Sequence, residues 1–222
     1  MGNCKAVSTP LVAHFKLSAE SCLQSEEDIK KMSHVPYSTT ISSLMYVMVY
    51  TKPDLSHIMS EVSRYMHNLR KDHWEAMKWI LRFVNDSIDK GLVFDINKAV
   101  TLDVVGFIDS NYASDCDRRR SISRYIFTMC TSGISWKSSL QSTTALSTTE
   151  AEYVVATEGV KEATWLRGLV TELGVPQGTT VVFSDNQNAI HLTKNDAYHS
   201  KTKHVSVKYT ISDIQLLQWR LL

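Results

Sequence analysis

Three acidic residues stand at positions where this chain could do chemistry. Asp109 ends the apolar run "DVVGFI", Asp185 ends "TTVVFS", and Glu152 lies within "LSTTEAEYV", Leu146 to Val154. Both aspartates follow stretches that read as strands. If those strands lie in one sheet, two carboxylates project from neighbouring positions. Mg²⁺ prefers hard oxygen ligands, usually one or two carboxylates completed by water and substrate phosphate. Two such ions about 3.5–4 Å apart activate a water and stabilise the leaving oxygen in phosphodiester hydrolysis. Taken singly, an aspartate at a strand end is ordinary turn or cap chemistry. Asp185, which directly precedes a helical pattern, could simply be an N-cap. A third converging carboxylate decides between the two readings.

The "LSTTEAEYV" helix supplies that third group. Ser147 followed by Glu150 is the S-x-x-E pattern of a capping box, so Glu150 has a structural role. On a helix of about 3.6 residues per turn, two positions correspond to about 200° of rotation, so Glu150 and Glu152 face opposite ways. Glu150 heads a mostly polar or small row through Val154, Thr157, Lys161, Thr164 and Gly168. Glu152 heads a small, apolar row through Ala156, Gly159, Ala163, Leu166 and Val170, which should lie on a sheet. A carboxylate carried toward that sheet is costly unless it is paired, solvated or bound to metal.

The elements that must position these groups follow from periodicity. Residues 1 to 36 read as a loop-rich arm with at most one short helix. From Tyr37 to Asp86 apolar residues recur at helical spacing, as in "DLSHIMSEVSRYMHNL" and "DHWEAMKWILRFVND". Beyond Gly91 the period shortens. "GLVFDI", "TLDVVGFID", "RYIFTMC" and "GISWKS" read as strands, the last two joined at "TSG" as a hairpin. The long helix after Ser147 stops at Gly174 and Pro176, then a strand and the helix "DNQNAIHLTKN" follow. The order implies an α/β layer in which an antiparallel set gains a parallel strand by helix crossover. The domain boundary falls near residues 87–100, giving a helical unit over 1–90 and an α/β unit over 91–222.

Composition excludes some classes. A chain of 222 residues, 43% hydrophobic and 21% charged, can bury a sizeable core. A net charge of +1 gives no global argument for nucleic acid, so any such partner must rest on local groups. The four cysteines form no C-x-x-C pair and read as free thiols of an intracellular protein. No signal peptide is expected, and the most apolar run, Ile41 to Tyr50, is too short to span a bilayer. A cytoplasmic protein without a membrane association is expected.

The run "GFIDSNYASDCDRRRSISRYIFTMCTSGISWKSSLQSTTALSTTEAEYVVATEGVKEATWLRGLVTELG", with "VVFSDNQNAIHLTKN" and "HSKTKHVSVKY", resembles the ribonuclease H domain of copia-type LTR retrotransposon Pol polyproteins. Upstream, "CKAVSTPLVAHFKLS", "VPYSTTISSLMYVMVYTKPDLSHIMSEVSRYM" and "HWEAMKWILRFV" resemble the end of the reverse transcriptase and its connection. The resemblance implies a ribonuclease H-like mixed sheet flanked by helices, preceded by a small helical connection or thumb-like unit. It implies hydrolysis of RNA in RNA–DNA hybrids with two Mg²⁺ or Mn²⁺ ions and no small-molecule cofactor. Its partners would be the hybrid and the rest of a reverse transcriptase, in the cytoplasm or in virus-like particles. Asp109, Glu152 and Asp185 would be catalytic metal ligands. Arg118, Arg119, Arg120, Lys201, Lys203 and His204 are candidate nucleic-acid contacts, and equally candidates for a plain solvated surface.

The chain departs from the family pattern at several points. Arg124 and Ser42 stand where glycines are usual, Asn111 where a second aspartate is frequent, and Ser206 where another aspartate is usual. No adjacent pair of aspartates occurs, so polymerase chemistry is not expected. The final "TISDIQLLQWRLL" shows no match to the strand and helix that end the domain and carry a fourth aspartate. Asp213 lies too early to replace it. A fold lacking that last strand and helix is therefore expected, with its apolar tail exposed. Two functional readings stay open: a ribonuclease H module impaired by the missing segment, or an inactive remnant that is at most a nucleic-acid-binding module.

Overall fold

The computed structural model describes residues 26–97, 101–115, 117–194 and 217–222, with residues 5, 7–12, 15, 17 and 18 near the start. The chain divides into two compact units, Met1–Leu92 and Val93–Leu222.

The first unit is helical: α1 (Glu26–Met32), α2 (Tyr37–Thr51), α3 (Ser56–Val62) and α4 (Lys71–Asp86). Its core joins Tyr37, Ile41 and Leu44 of α2 to Ile58, Met59 and Val62 of α3 and Met77 and Ile80 of α4. The Tyr37 hydroxyl donates to the Val62 carbonyl oxygen at 2.9 Å, tying α2 to the end of α3. Ser42, at one of the expected glycine positions, is exposed on α2, and its Oγ donates to the Ser38 carbonyl oxygen. That site needs no close backbone approach. At the start of α4 the buried His73 stacks on Tyr65, and its Nδ1 accepts the Arg70 N–H.

The second unit is a five-stranded sheet covered by helices. In chain order it holds β1 (Val105–Asn111), β2 (Ile122–Met129), β3 (Ser132–Leu140), α5 (Thr148–Glu172), β4 (Thr180–Ser184), α6 (Gln187–Lys194) and β5 (Leu217–Leu221). The strand order is β3-β2-β1-β4-β5. The β1–β2 and β2–β3 pairs are antiparallel, and the β1–β4 and β4–β5 pairs are parallel. This mixed sheet flanked by helices is a ribonuclease H-like arrangement. Its core is built from Val104, Ile108, Phe127 and Val182 of the sheet region and Val155, Ala156, Val160 and Ala163 of α5.

Several sequence expectations are corrected here. The fifth strand is present: Leu217 to Leu221 pairs parallel with Thr180 to Ser184. Leu217 and Trp219 are buried while Gln218 and Arg220 are exposed, the alternation a strand edge requires. Only Leu221 and Leu222 of the described apolar tail remain exposed. Asp213 lies outside the described residues. "GLVFDI" forms no strand, because no described residue pairs with it, and Val93, Phe94 and Ile96 are exposed. The β2–β3 turn is not "TSG" but the pair Cys130–Thr131, with φ of 50° and 65°, while Gly133 sits inside β3. Two successive left-handed residues give the turn the hand that matches strand twist. Among the described residues no helix is long and apolar enough to cross a membrane.

Two predictions follow from this packing. Trp219→Ala removes a buried anchor of β5, and urea unfolding should show a loss of about 3–5 kcal/mol. A surface tail would instead give a change close to zero. Burial, followed by the charge of Arg70, holds the His73 imidazole below its ordinary pKa. The unfolded chain therefore binds the proton more readily, and stability rises with pH through the window that ends near the unfolded value of about 6.5. Stability of the chain should fall as pH drops below that value. His73→Gln, which keeps an acceptor at the position, should flatten this part of the profile.

Candidate metal centre

The candidate site lies at the carboxyl ends of β1 and β4, where parallel strands deliver side chains to one edge of the sheet. The β1–β4 register pairs Phe107 with Phe183, whose rings stack at 5.2 Å. Beyond that pair, Asp109 lies near the end of β1 and Asp185 follows directly after β4, so the two carboxylates come out at one edge of the sheet. Helix α5 supplies the third group. It begins at Thr148 with Ser147 as N-cap, whose Oγ accepts the Glu150 N–H at 3.2 Å. The Glu150 carboxylate turns back to accept the Leu146 N–H at 2.7 Å, one residue before the usual partner of a capping box. Glu150 is thus spent on the helix start.

Glu152 is carried onto the sheet. Its row, Ala156, Gly159, Ala163, Leu166 and Val170, is buried along its whole length. The row headed by Glu150 is not the solvated face its composition suggests, since Glu150, Val154 and Thr157 are also buried. The reason is tertiary: α5 packs against α6 as well as against β1 and β2. Gly159 permits the approach to β1, because a Cβ there would meet Ile108 Cγ2 at 3.0 Å.

One oxygen from each of Asp109, Glu152 and Asp185 lies within 4.8 Å of the others. Glu152 is 6% exposed. Its Oε1 accepts two hydrogen bonds from Ser110, one from the backbone N–H at 3.1 Å and one from Oγ at 2.7 Å. Among the described residues its buried Oε2 has no hydrogen-bond partner. Burial raises the Glu152 pKa, the Ser110 hydrogen bonds oppose that rise, and the nearby charges of Asp185 and Asp109 add to it. A buried acceptor left open beside two more carboxylates is the environment a hard cation relieves. The donor set therefore fits Mg²⁺ or Mn²⁺, and it offers no soft sulfur or imidazole ligand.

Asp109 is already engaged. Arg124 lies directly opposite it across the β1–β2 pair, and an Arg124 Nη2 sits 2.5 Å from Asp109 Oδ2. The side chain at this usual glycine position is thus accommodated by ion pairing on the sheet surface. Neither that pairing nor the role of Ser110 was legible from residue type. Gln141 was also missed. It is fully buried, and its Nε2 donates to Ser123 Oγ at 3.2 Å and to the Ala151 carbonyl oxygen at 2.8 Å. This amide ties the first turn of α5 to β2, one residue before Glu152. Only the oddity of a glutamine next to a strand end could have flagged it.

The candidate nucleic-acid contacts divide. Arg118 and Arg119 are exposed in the turn between β1 and β2, with Arg119 in the left-handed region at φ 55°. Arg120 is half-buried, and its guanidinium donates to the Ser142 carbonyl oxygen at 2.8 Å, so it anchors the segment leading to α5. Lys201, Lys203 and His204, with Ser206, lie outside the described residues.

Comparison with known proteins adds an independent line. No protein-family model matches the chain. It is 46% identical over 209 residues to the retrovirus-related Pol polyprotein from transposon TNT 1-94 of Nicotiana tabacum, covering 94% of this chain and 16% of that protein. It is 33% identical over 210 residues to the retrovirus-related Pol polyprotein from transposon RE2 of Arabidopsis thaliana, covering 94% and 14%. It is also 38% identical over 135 residues to secreted RxLR effector protein 161 of Plasmopara viticola, covering 61% and 94%. The chain thus spans about a seventh of the length of the two polyproteins.

Gln141→Ala should destabilise the protein by about 1–3 kcal/mol, because it strands buried polar groups. Amide hydrogen exchange should quicken in the first turn of α5 before it quickens in β1. Uniform protection along α5 in the variant would contradict the role given to the amide.

Proposed function

We propose a function from one premise: this chain belongs to the retrovirus-related Pol polyproteins of copia-type transposons. Within such a polyprotein it acts as a ribonuclease H-type endonuclease module that hydrolyses the RNA strand of RNA–DNA hybrids, and its helical unit is the connection that follows a reverse transcriptase. The observation that carries this reading is the convergence of Asp109, Glu152 and Asp185 from two parallel strands and one helix, with a buried Glu152 oxygen left open.

Asp109, Glu152 and Asp185 would hold Mg²⁺ or Mn²⁺, which when bound supplies an activated water and stabilises the leaving oxygen. The protein's own groups do the rest. Ser110 fixes one Glu152 oxygen, so the other has a defined direction. The anchor from Gln141 holds the helix start against β2, which limits the distances the cluster can adopt. Arg118 and Arg119 offer positive charge toward a phosphate backbone beside the cluster's strand. A hybrid would be followed by its shape and 2′-hydroxyls, not by its base sequence.

The test is a gel assay of the purified chain with an end-labelled RNA–DNA hybrid in Mg²⁺ or Mn²⁺. RNA-strand cleavage is expected. Asp109→Asn, Glu152→Gln and Asp185→Asn should each lower it by roughly 100-fold or more, a larger loss than removing a supporting residue brings. Hybrid binding without cleavage in either metal would overturn the catalytic reading and leave a nucleic-acid-binding module.

A further inference from the structure

The Asp109 carboxylate serves two groups at once. It is one of the three converging ligands, and it also receives the Arg124 guanidinium at 2.5 Å across the strand pair. The pairing follows from the sheet itself, because Asp109 and Arg124 are directly opposite in the register. Directly opposed side chains stand about 4.5–5.5 Å apart at Cβ, close enough to interact without reaching. Arg124 therefore holds one positive charge where the first charge of an arriving ion would settle.

We propose that Arg124 is a built-in competitor for divalent cations, occupying Asp109 when no ion is bound and setting how tightly the cluster takes one. This inference rests on the metal-centre reading of the cluster. Its physical basis is simple. A cation entering the cluster must displace the guanidinium from Asp109 Oδ2 or share that carboxylate with it, and sharing places like charges a few ångströms apart. Displacement is feasible because the pair is part-exposed, with side-chain exposures of 34% and 45%. Such pairs contribute little stability when solvent can replace them. Among the described residues the buried Arg124 Nε has no hydrogen-bond partner, so that donor does not hold the guanidinium in place. In the ion-free protein the arginine relieves repulsion among the three carboxylates. In the loaded protein it has to turn away.

Two measurements on the full chain test this. The first is calorimetric titration with MnCl₂ of the wild type, Arg124→Gln and Arg124→Lys, each checked for fold by circular dichroism. Arg124→Gln should bind Mn²⁺ roughly tenfold more tightly than the wild type, since both the pair and the like-charge repulsion are gone. Arg124→Lys, which keeps the charge, should bind no more tightly than the wild type. Equal affinity in the wild type and Arg124→Gln overturns the proposal and leaves the metal centre standing. No Mn²⁺ binding by either chain overturns the metal centre and the proposal together. The second needs no variant. In the wild type, the side-chain ¹⁵N resonances of Arg124 should move during a Mg²⁺ titration with the same midpoint as the Asp109 carboxyl ¹³C resonance. An Arg124 signal that stays fixed while the Asp109 signal moves overturns the proposal.

Discussion

A carboxylate buried against a sheet has to be compensated, and much of the second unit is arranged around that requirement at Glu152. Burial raises the cost of its charge, and among the described residues the hydrogen bonds it accepts come from Ser110 on β1. Those bonds exist because α5 lies close on β1, and α5 lies close because Gly159 presents no side chain to Ile108. Loosening that approach would leave the carboxylate buried and unpartnered, which costs more than the hydrogen bonds themselves contribute. The small-residue row of α5, the position of Ser110 and the register of β1 are therefore one constraint seen from three sides.

From that constraint the site follows. The strand order sets β4 beside β1, so that Asp185, just past the end of β4, comes near Asp109. The antiparallel neighbour on the other side sets Arg124 opposite Asp109. The cluster is thus negative on the β4 side and answered by a cation on the β2 side. A sheet that positions metal ligands also positions whatever stands across from them, and in this chain that residue is an arginine.

Much of this architecture is legible without coordinates. The 3.6-residue period of α4 and of the Glu152 row reports which side chains share a helix face, and that is a local property of the backbone. Rotation by two residues separates Glu150 from Glu152, and the first is indeed engaged at the helix start while the second reaches the sheet. Failures occur where a residue's meaning depends on a distant partner. "GLVFDI" has the composition of a strand but no neighbour to pair with among the described residues. Leu217 and Trp219 look like an orphaned tail but alternate correctly against Thr180 and Val182. Cys130 and Thr131 adopt turn dihedrals that their residue types disfavour, because the pairing of β2 with β3 forces a two-residue connection.

The sequence alone therefore determined which carboxylates could converge and on which elements they ride, since periodicity, caps and strand ends are written in residues only a few positions apart. Tertiary structure decided that β5 completes the sheet, that Gln141 pins the helix start, and that Arg124 sits on Asp109. Each of these joins groups far apart in the chain or on different strands. Which strand lies beside which, and in what register, is settled only when the whole apolar surface is buried at once.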